Sequence, residues 1–287
     1  MVNPFTANLW FFWHNRLRCG SGLKAALQIA LRCQYYWFNE KSAMPISSTC
    51  SETPGAPNDM NCVAGVDGAR GGWLTIVWDA KGLSAELLHE AGGILAVPAA
   101  TLAIDMPIGL TSEGGRTCDR EARALLPRGR KASVFTPPRR YMLDRSYPEA
   151  NAEGRHREGI GLSKQAWHIS PRIAALDRAL CPAGQGHIRE AHPELIFHRL
   201  NGWYPLARKR SATGFAQRRD LLIQYGIPVH AALFDRFPRN KVKPDDILDA
   251  LACAAAADAI RQGTAQRVPA TSPVPLDRRG LRMEIWF

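Results

Sequence analysis

Residues 63–72, VAGVDGARGG, followed at once by residues 73–78, WLTIVW, decide how this chain is read. Val63, Ala64 and Val66 suit a short buried strand, and Asp67 stands where that strand is expected to end. Gly68, Gly71 and Gly72 let the backbone turn tightly. The aromatic and β-branched run after them is the returning strand. An Asp-Gly hairpin turn without chemistry accounts for this stretch taken alone. A carboxylate beside a bare glycine loop is also a place to hold a metal ion or a phosphate. The choice turns on whether the arrangement recurs.

It recurs downstream. Residues 82–88 read as a third strand and residues 90–97 as a short helix or turn. In residues 101–110, TLAIDMPIGL, a strand over 102–104 ends in Asp105. Pro107 then forbids a central strand to continue, and Gly109 opens the next loop. Ligands of open α/β sheets gather outside the carboxyl ends of strands, so Asp67 and Asp105 are expected to face one crevice. The plainer alternative is that Asp105 caps its own turn. Residues 243–263 form the clearest helix, with Pro244 at its start and Gly263 closing it. Asp245 and Asp246 fall in the first turn, where the helix dipole favours negative charge. Asp249 lies beyond that turn, among Leu248, Ala250 and Leu251, on the face it shares with the two earlier acids. Acids on small apolar helices are seldom idle.

The basic residues are the second theme. Lys plus Arg number 37 against 26 Asp plus Glu, a surplus of 37 − 26 = +11 that fits an anionic partner such as nucleic acid. Residues 116–145 concentrate it, and with prolines in SVFTPP (133–138) they read as an exposed arm able to touch phosphates through Arg128, Arg130, Lys131, Arg139 and Arg140. A solvated charged face explains the same residues. Residues 207–219 form a second basic stretch leading into a helix. Residues 161–176 read as a helix broken by Pro171, with Lys164 and Gln165 offering polar groups. Residues 188–200 read as strand, loop and helix carrying Glu190 and Glu194. His192-Pro193-Glu194 resembles the HxE of zinc deaminases, but no PCxxC follows, which excludes that chemistry.

Seven scattered cysteines without a CxxC pair argue against a disulfide framework and a structural zinc site, and they fit a reducing cytoplasm. Residues 1–59 differ from the rest. Aromatic clusters at 9–13 (LWFFW) and 35–38 (YYWF) are interrupted by Arg16, Arg18, Lys24 and Arg32. No run reaches the roughly 18 to 20 apolar residues of a membrane span. A Pro/Ser/Thr-rich strip follows at 44–60. The expected organisation is an extension or linker over 1–59 and one domain over 60–287; the rival is an amphipathic interaction helix near 23–33.

The acids Asp67, Asp105 and Asp249, supported by Asp245, Asp246, Glu190 or Glu194, form an oxygen-only donor set suited to Mg²⁺ or Mn²⁺ and not to zinc. Two such ions about 3.5–4 Å apart clamp the attacking and leaving oxygens in phosphodiester cleavage. Beyond chemistry, the strings VAGVDGARGGW, AIDMPIGL, RxCDxEAR with SVFTPP, GLSKQ, EAHPELIF, DDILDALACA and GLRMEIW resemble a bacterial family of predicted RNase H-like nucleases, over residues 63–286. The resemblance implies an RNase H-like α/β fold, with a mixed five-stranded sheet flanked by helices. It also implies a two-metal site of Asp67, Asp105, Asp246 and Asp249, its helix pattern being most like that of Holliday-junction resolvases. Two other classes remain open. One is an actin- or sugar-kinase-like phosphotransferase, against which no second glycine-rich phosphate loop is found. The other is a non-catalytic nucleic-acid-binding module on a decayed nuclease fold.

Overall fold

The computed structural model describes residues 61–287. The extension expected over 1–59 and the helix considered near 23–33 lie outside the described residues. Three antiparallel strands come first: β1 (Val63–Ala69), β2 (Gly72–Asp79) and β3 (Gly82–Leu88). A short helix α1 (Ala91–Leu95) then crosses to β4 (Thr101–Ile104), which runs parallel to β1. β5 (Ile188–Glu190) adds in parallel to β4, giving one mixed five-stranded sheet in the order β3-β2-β1-β4-β5. The hairpin is one step longer than the glycines suggested. β1 continues through Asp67 and Gly68 to Ala69, and Asp67 pairs with Leu74. Asp67 is therefore inside a strand, held by a ladder on one side, rather than at its last residue.

Alternation along the strands sorts the side chains onto two faces. Ala64, Val66, Leu102 and Ile104 join one apolar cluster, with Ile94 of α1 and Ile173. Ile173 belongs to α4 (Lys164–Ala179), which follows α2 (Thr117–Leu125) and α3 (Tyr147–Glu158). α4 runs unbroken through Pro171, contrary to the expected break. Pro171 is exposed, so its ring sits on the solvent side of α4 and displaces nothing from the core.

The opposite face carries Val63, Ala103 and the second apolar cluster, which is built around α7 (Pro244–Arg261). α5 (Pro193–Leu200) and α6 (Ala212–Tyr225) cover the far side of α7. Every residue from Ile247 to Ala259 is buried, as expected of a helix that is apolar on all sides. Its alanines let it lie directly on the sheet. At Gly65 of β1 a methyl group would stand 2.0 Å from the Ala250 carbonyl oxygen and 2.2 Å from the Ala254 nitrogen. Strand and helix thus touch backbone to backbone. β6 (Arg267–Val268) and β7 (Ile285–Trp286) form a separate antiparallel pair.

Cys118 and Cys253 are buried and form no disulfide. Among the described residues no helix is long and apolar enough to cross a membrane.

Candidate active site

The two strand aspartates project toward α7 because of their parity. Asp67 follows Val63 and Gly65 on one face of β1, and Asp105 follows Ala103 on the same face of β4. The parallel register pairs Val66 with Ile104, and the Asp105 N–H donates to the Val66 carbonyl at 2.9 Å, which sets the two acids side by side. Asp249 lies on α7 one residue before Ala250, whose carbonyl abuts Gly65, so the close seam delivers it to the same place. Asp67 and Asp249 are buried, and Asp105 is half-buried.

The charges respond to one another. Burial, then the negative charges of Asp249, Asp105 and Asp246, hold the Asp67 carboxyl well above its ordinary range. Burial pushes Asp105 up to about 6, against the pull of Lys209. Asp249 is pushed up to about 7, again by burial first, with Lys209 opposing and Asp105 and Asp245 adding. Asp246 is raised by burial as well, although it accepts a 2.9 Å hydrogen bond from the Lys243 N–H and so caps the helix. Burial and the three acids also keep the Cys253 thiol, one turn beyond Asp249, protonated.

Lys209 is the residue that sequence reasoning missed. Its ammonium donates to Asp249 Oδ2, stands 4.0 Å from Asp245 Oδ2, and partly offsets the charge of Asp67. It comes from a loop between α5 and α6 that is pinned along its length. Arg130 donates to the Leu206 and Ala207 carbonyls at 3.0 and 2.8 Å, Gln217 accepts from the Ala207 N–H, and Arg218 donates to the Ala207 carbonyl. A methyl group at Gly214 would lie 2.0 Å from the Arg208 carbonyl oxygen, so α6 meets the loop at its backbone. In sequence, Lys209 is one of three consecutive basic residues and nothing local singles it out. Among the described residues, no three His, Cys, Asp or Glu side chains stand as placed around a common point fit for a metal ion.

The remaining predicted residues divide sharply. Glu190 is held by Arg116, which reaches both its oxygens at 2.7 and 2.6 Å and also bonds Asp119; the Ile108 N–H adds a 2.7 Å bond. Glu194 receives two 3.0 Å bonds from Arg218 and a 3.3 Å contact from Arg130. Both glutamates are thus engaged by arginines rather than directed at the aspartates. Lys164 is exposed at the first residue of α4.

The exposed basic arm is corrected in the same way. Arg116 and Arg139 are buried, Arg139 pairs with Glu158 at 3.1 Å, and Arg140 pairs with Asp177 and Asp277. Arg130 braces the Lys209 loop. Of the five residues expected to touch phosphates, Arg128 and Lys131 are exposed. Arginine appears in both settings because its stem is apolar and its fork satisfies buried carboxylates.

A protein-family model described as "Protein of unknown function (DUF429)" matches residues 65–273, and the chain belongs to that family. The match takes in Asp67, Asp105, Lys209, Asp246 and Asp249. No curated protein and no solved structure matches the chain.

Proposed function

We propose that this chain is a metal-dependent nuclease on an RNase H-like fold, hydrolysing phosphodiester bonds at Asp67, Asp105, Asp246 and Asp249. The observation that carries the reading is the convergence of acids from two parallel strands and one buried helix, with the pKa values of Asp67, Asp105 and Asp249 all held above the ordinary carboxylate range. Burying these acids together, with added repulsion from neighbouring acids at Asp67 and Asp249, stabilises nothing by itself and is common where a site is arranged for chemistry. The mixed five-stranded sheet flanked by helices supports the fold assignment.

The donor chemistry fits a hard divalent cation. All four groups are carboxylates, which suits Mg²⁺ or Mn²⁺, and a cation's charge would return the raised acids to their ionised form. Bound there, such ions supply Lewis acidity and a water nucleophile at neutral pH. The chain's own residues do the positioning. Asp67 and Asp105 are fixed by the β1–β4 register, and Asp249 by the helix seam. Asp249 would exchange Lys209 for the ion, leaving an ammonium beside the site to neutralise a phosphate oxygen. The basic excess and the exposed Arg128 and Lys131 favour nucleic acid as the substrate.

Lys209 also favours a second reading. An ammonium already bonded to Asp249 supplies a positive charge from within the chain, as a non-catalytic binding module would need. Cleavage of a panel of single-stranded, duplex and branched DNA and RNA, with Mn²⁺ or with EDTA, separates the two. The nuclease reading expects metal-dependent cleavage that Asp67→Asn and Asp105→Asn abolish. Cleavage retained by both variants, or no Mn²⁺ binding by calorimetry, overturns it.

A further inference from the structure

A cavity lies beside the crevice that reaches Asp105. It has a volume of about 680 Å³, within the ordinary size range of small-ligand pockets, and opens between residues 131–142 and the start of α4. Val134 and Phe135 line it and also line the small crevice that reaches Asp105, so the cavity and that crevice share a wall. Its interior is apolar, with Phe135, Met142 and Leu162, and its rim is basic. No acidic residue lines it among the described residues. Arg123 bonds only neutral groups there, the Val134 carbonyl at 2.7 Å and the Thr136 hydroxyl at 2.8 Å, so its charge is uncompensated. Lys131 is exposed on the same rim.

An aromatic ring in an apolar hollow with two uncompensated cations at its mouth suits a planar group joined to an anion. We propose that this cavity is a subsite for one unstacked nucleotide of a single-stranded segment next to the bond cleaved at the aspartates. The base would lie against Phe135 and its phosphate against Arg123 and Lys131. A base inside a continuous duplex cannot enter such a hollow without leaving its stack, so the subsite selects single-stranded or unpaired substrate. The identity of the ligand as nucleic acid rests on the nuclease reading above.

The test is binding of the full chain, in EDTA, to one fluorescent oligonucleotide presented single-stranded or fully paired, read by anisotropy. The single strand should bind more tightly. Phe135→Leu, which keeps apolar volume while removing the ring, should weaken single-strand binding by about tenfold and leave duplex binding unchanged. Lys131→Glu, at an exposed position, should weaken single-strand binding as well. Unchanged single-strand affinity in both variants overturns the subsite, as does an equal loss for single strand and duplex. The two readings fail separately. Mn²⁺-dependent cleavage by a protein indifferent to Phe135 removes the subsite and keeps the nuclease. Phe135-dependent binding without cleavage does the reverse.

Discussion

Replacing Asp105 by Asn should make the metal-free protein more stable at alkaline pH, although it alters a residue at the heart of the site. Burial raises this carboxyl from its ordinary 3.8 to about 6, net of the attraction of Lys209. Between those values the folded protein holds a proton that the unfolded chain has released. Stability therefore falls as pH rises from about 4 to about 6, and above that window the whole penalty is present. A shift of about two units at 1.36 kcal/mol each amounts to about 3 kcal/mol. Asn cannot ionise, so Asp105→Asn escapes the penalty. Urea unfolding in EDTA should show the variant up to about 3 kcal/mol more stable than the native chain at pH 8, and nearly equal to it at pH 4. A variant that is destabilised equally at both values would show that the Asp105 charge is satisfied in the fold, and the electrostatic argument for a cation would fall with it.

Lys209→Met removes the cation that faces Asp249, and should lower stability at pH 8 in EDTA by about 1–2 kcal/mol, the ammonium being partly exposed; thermal melts with added Mn²⁺ should recover the loss if the acids bind the ion, and should not if Lys209 is the permanent partner. Arg116→Met strands Asp119 and Glu190 in the interior and should cost about 3–5 kcal/mol by denaturant titration, with Arg116→Lys recovering only part because an ammonium lacks the fork. Gly65→Ala forces β1 and α7 apart and should lower the melting temperature steeply by circular dichroism, or prevent folding; a melting temperature near that of the native chain would mean the helix can retreat freely. Arg128→Glu should reduce the salt slope of nucleic-acid binding by about one, whereas an unchanged slope would place Arg128 on a face that meets only solvent.

The strands and the acid-bearing helix were legible because their signals are local. β3 and β4 follow apolar runs bounded by turn residues, and α7 has Pro244, two first-turn acids and Gly263 at the expected places. The acids could be brought together on paper because alternation and helical spacing decide which way a side chain points. Lys209 could not be found that way. Its place depends on Arg130, far from it in sequence, and on the side chains of Gln217 and Arg218 from the next helix, which together hold its loop. The buried arginines failed for the same reason: the letter R does not say whether a carboxylate waits for it, and Glu190 and Glu194, read as supports for a metal, were what Arg116 and Arg218 needed. Pro171 was read as a breaker because the rule concerns the hydrogen bond it removes, while the outcome depended on which side of α4 it faced.

The contact of Gly65 with Ala250 and Ala254 acts as a one-way stop on the reach between Asp67 and Asp249. Both acids hang from backbones already at their limit of approach, so no substitution along this seam can draw them nearer. Every larger residue there can only separate them. Variation in the surrounding core, by contrast, leaves that spacing alone, since no side chain of either partner lies between the two chains at that point. A family built this way can exchange most of its interior while its acid pair keeps a single minimum gauge, and a side chain at position 65 is the change that widens it.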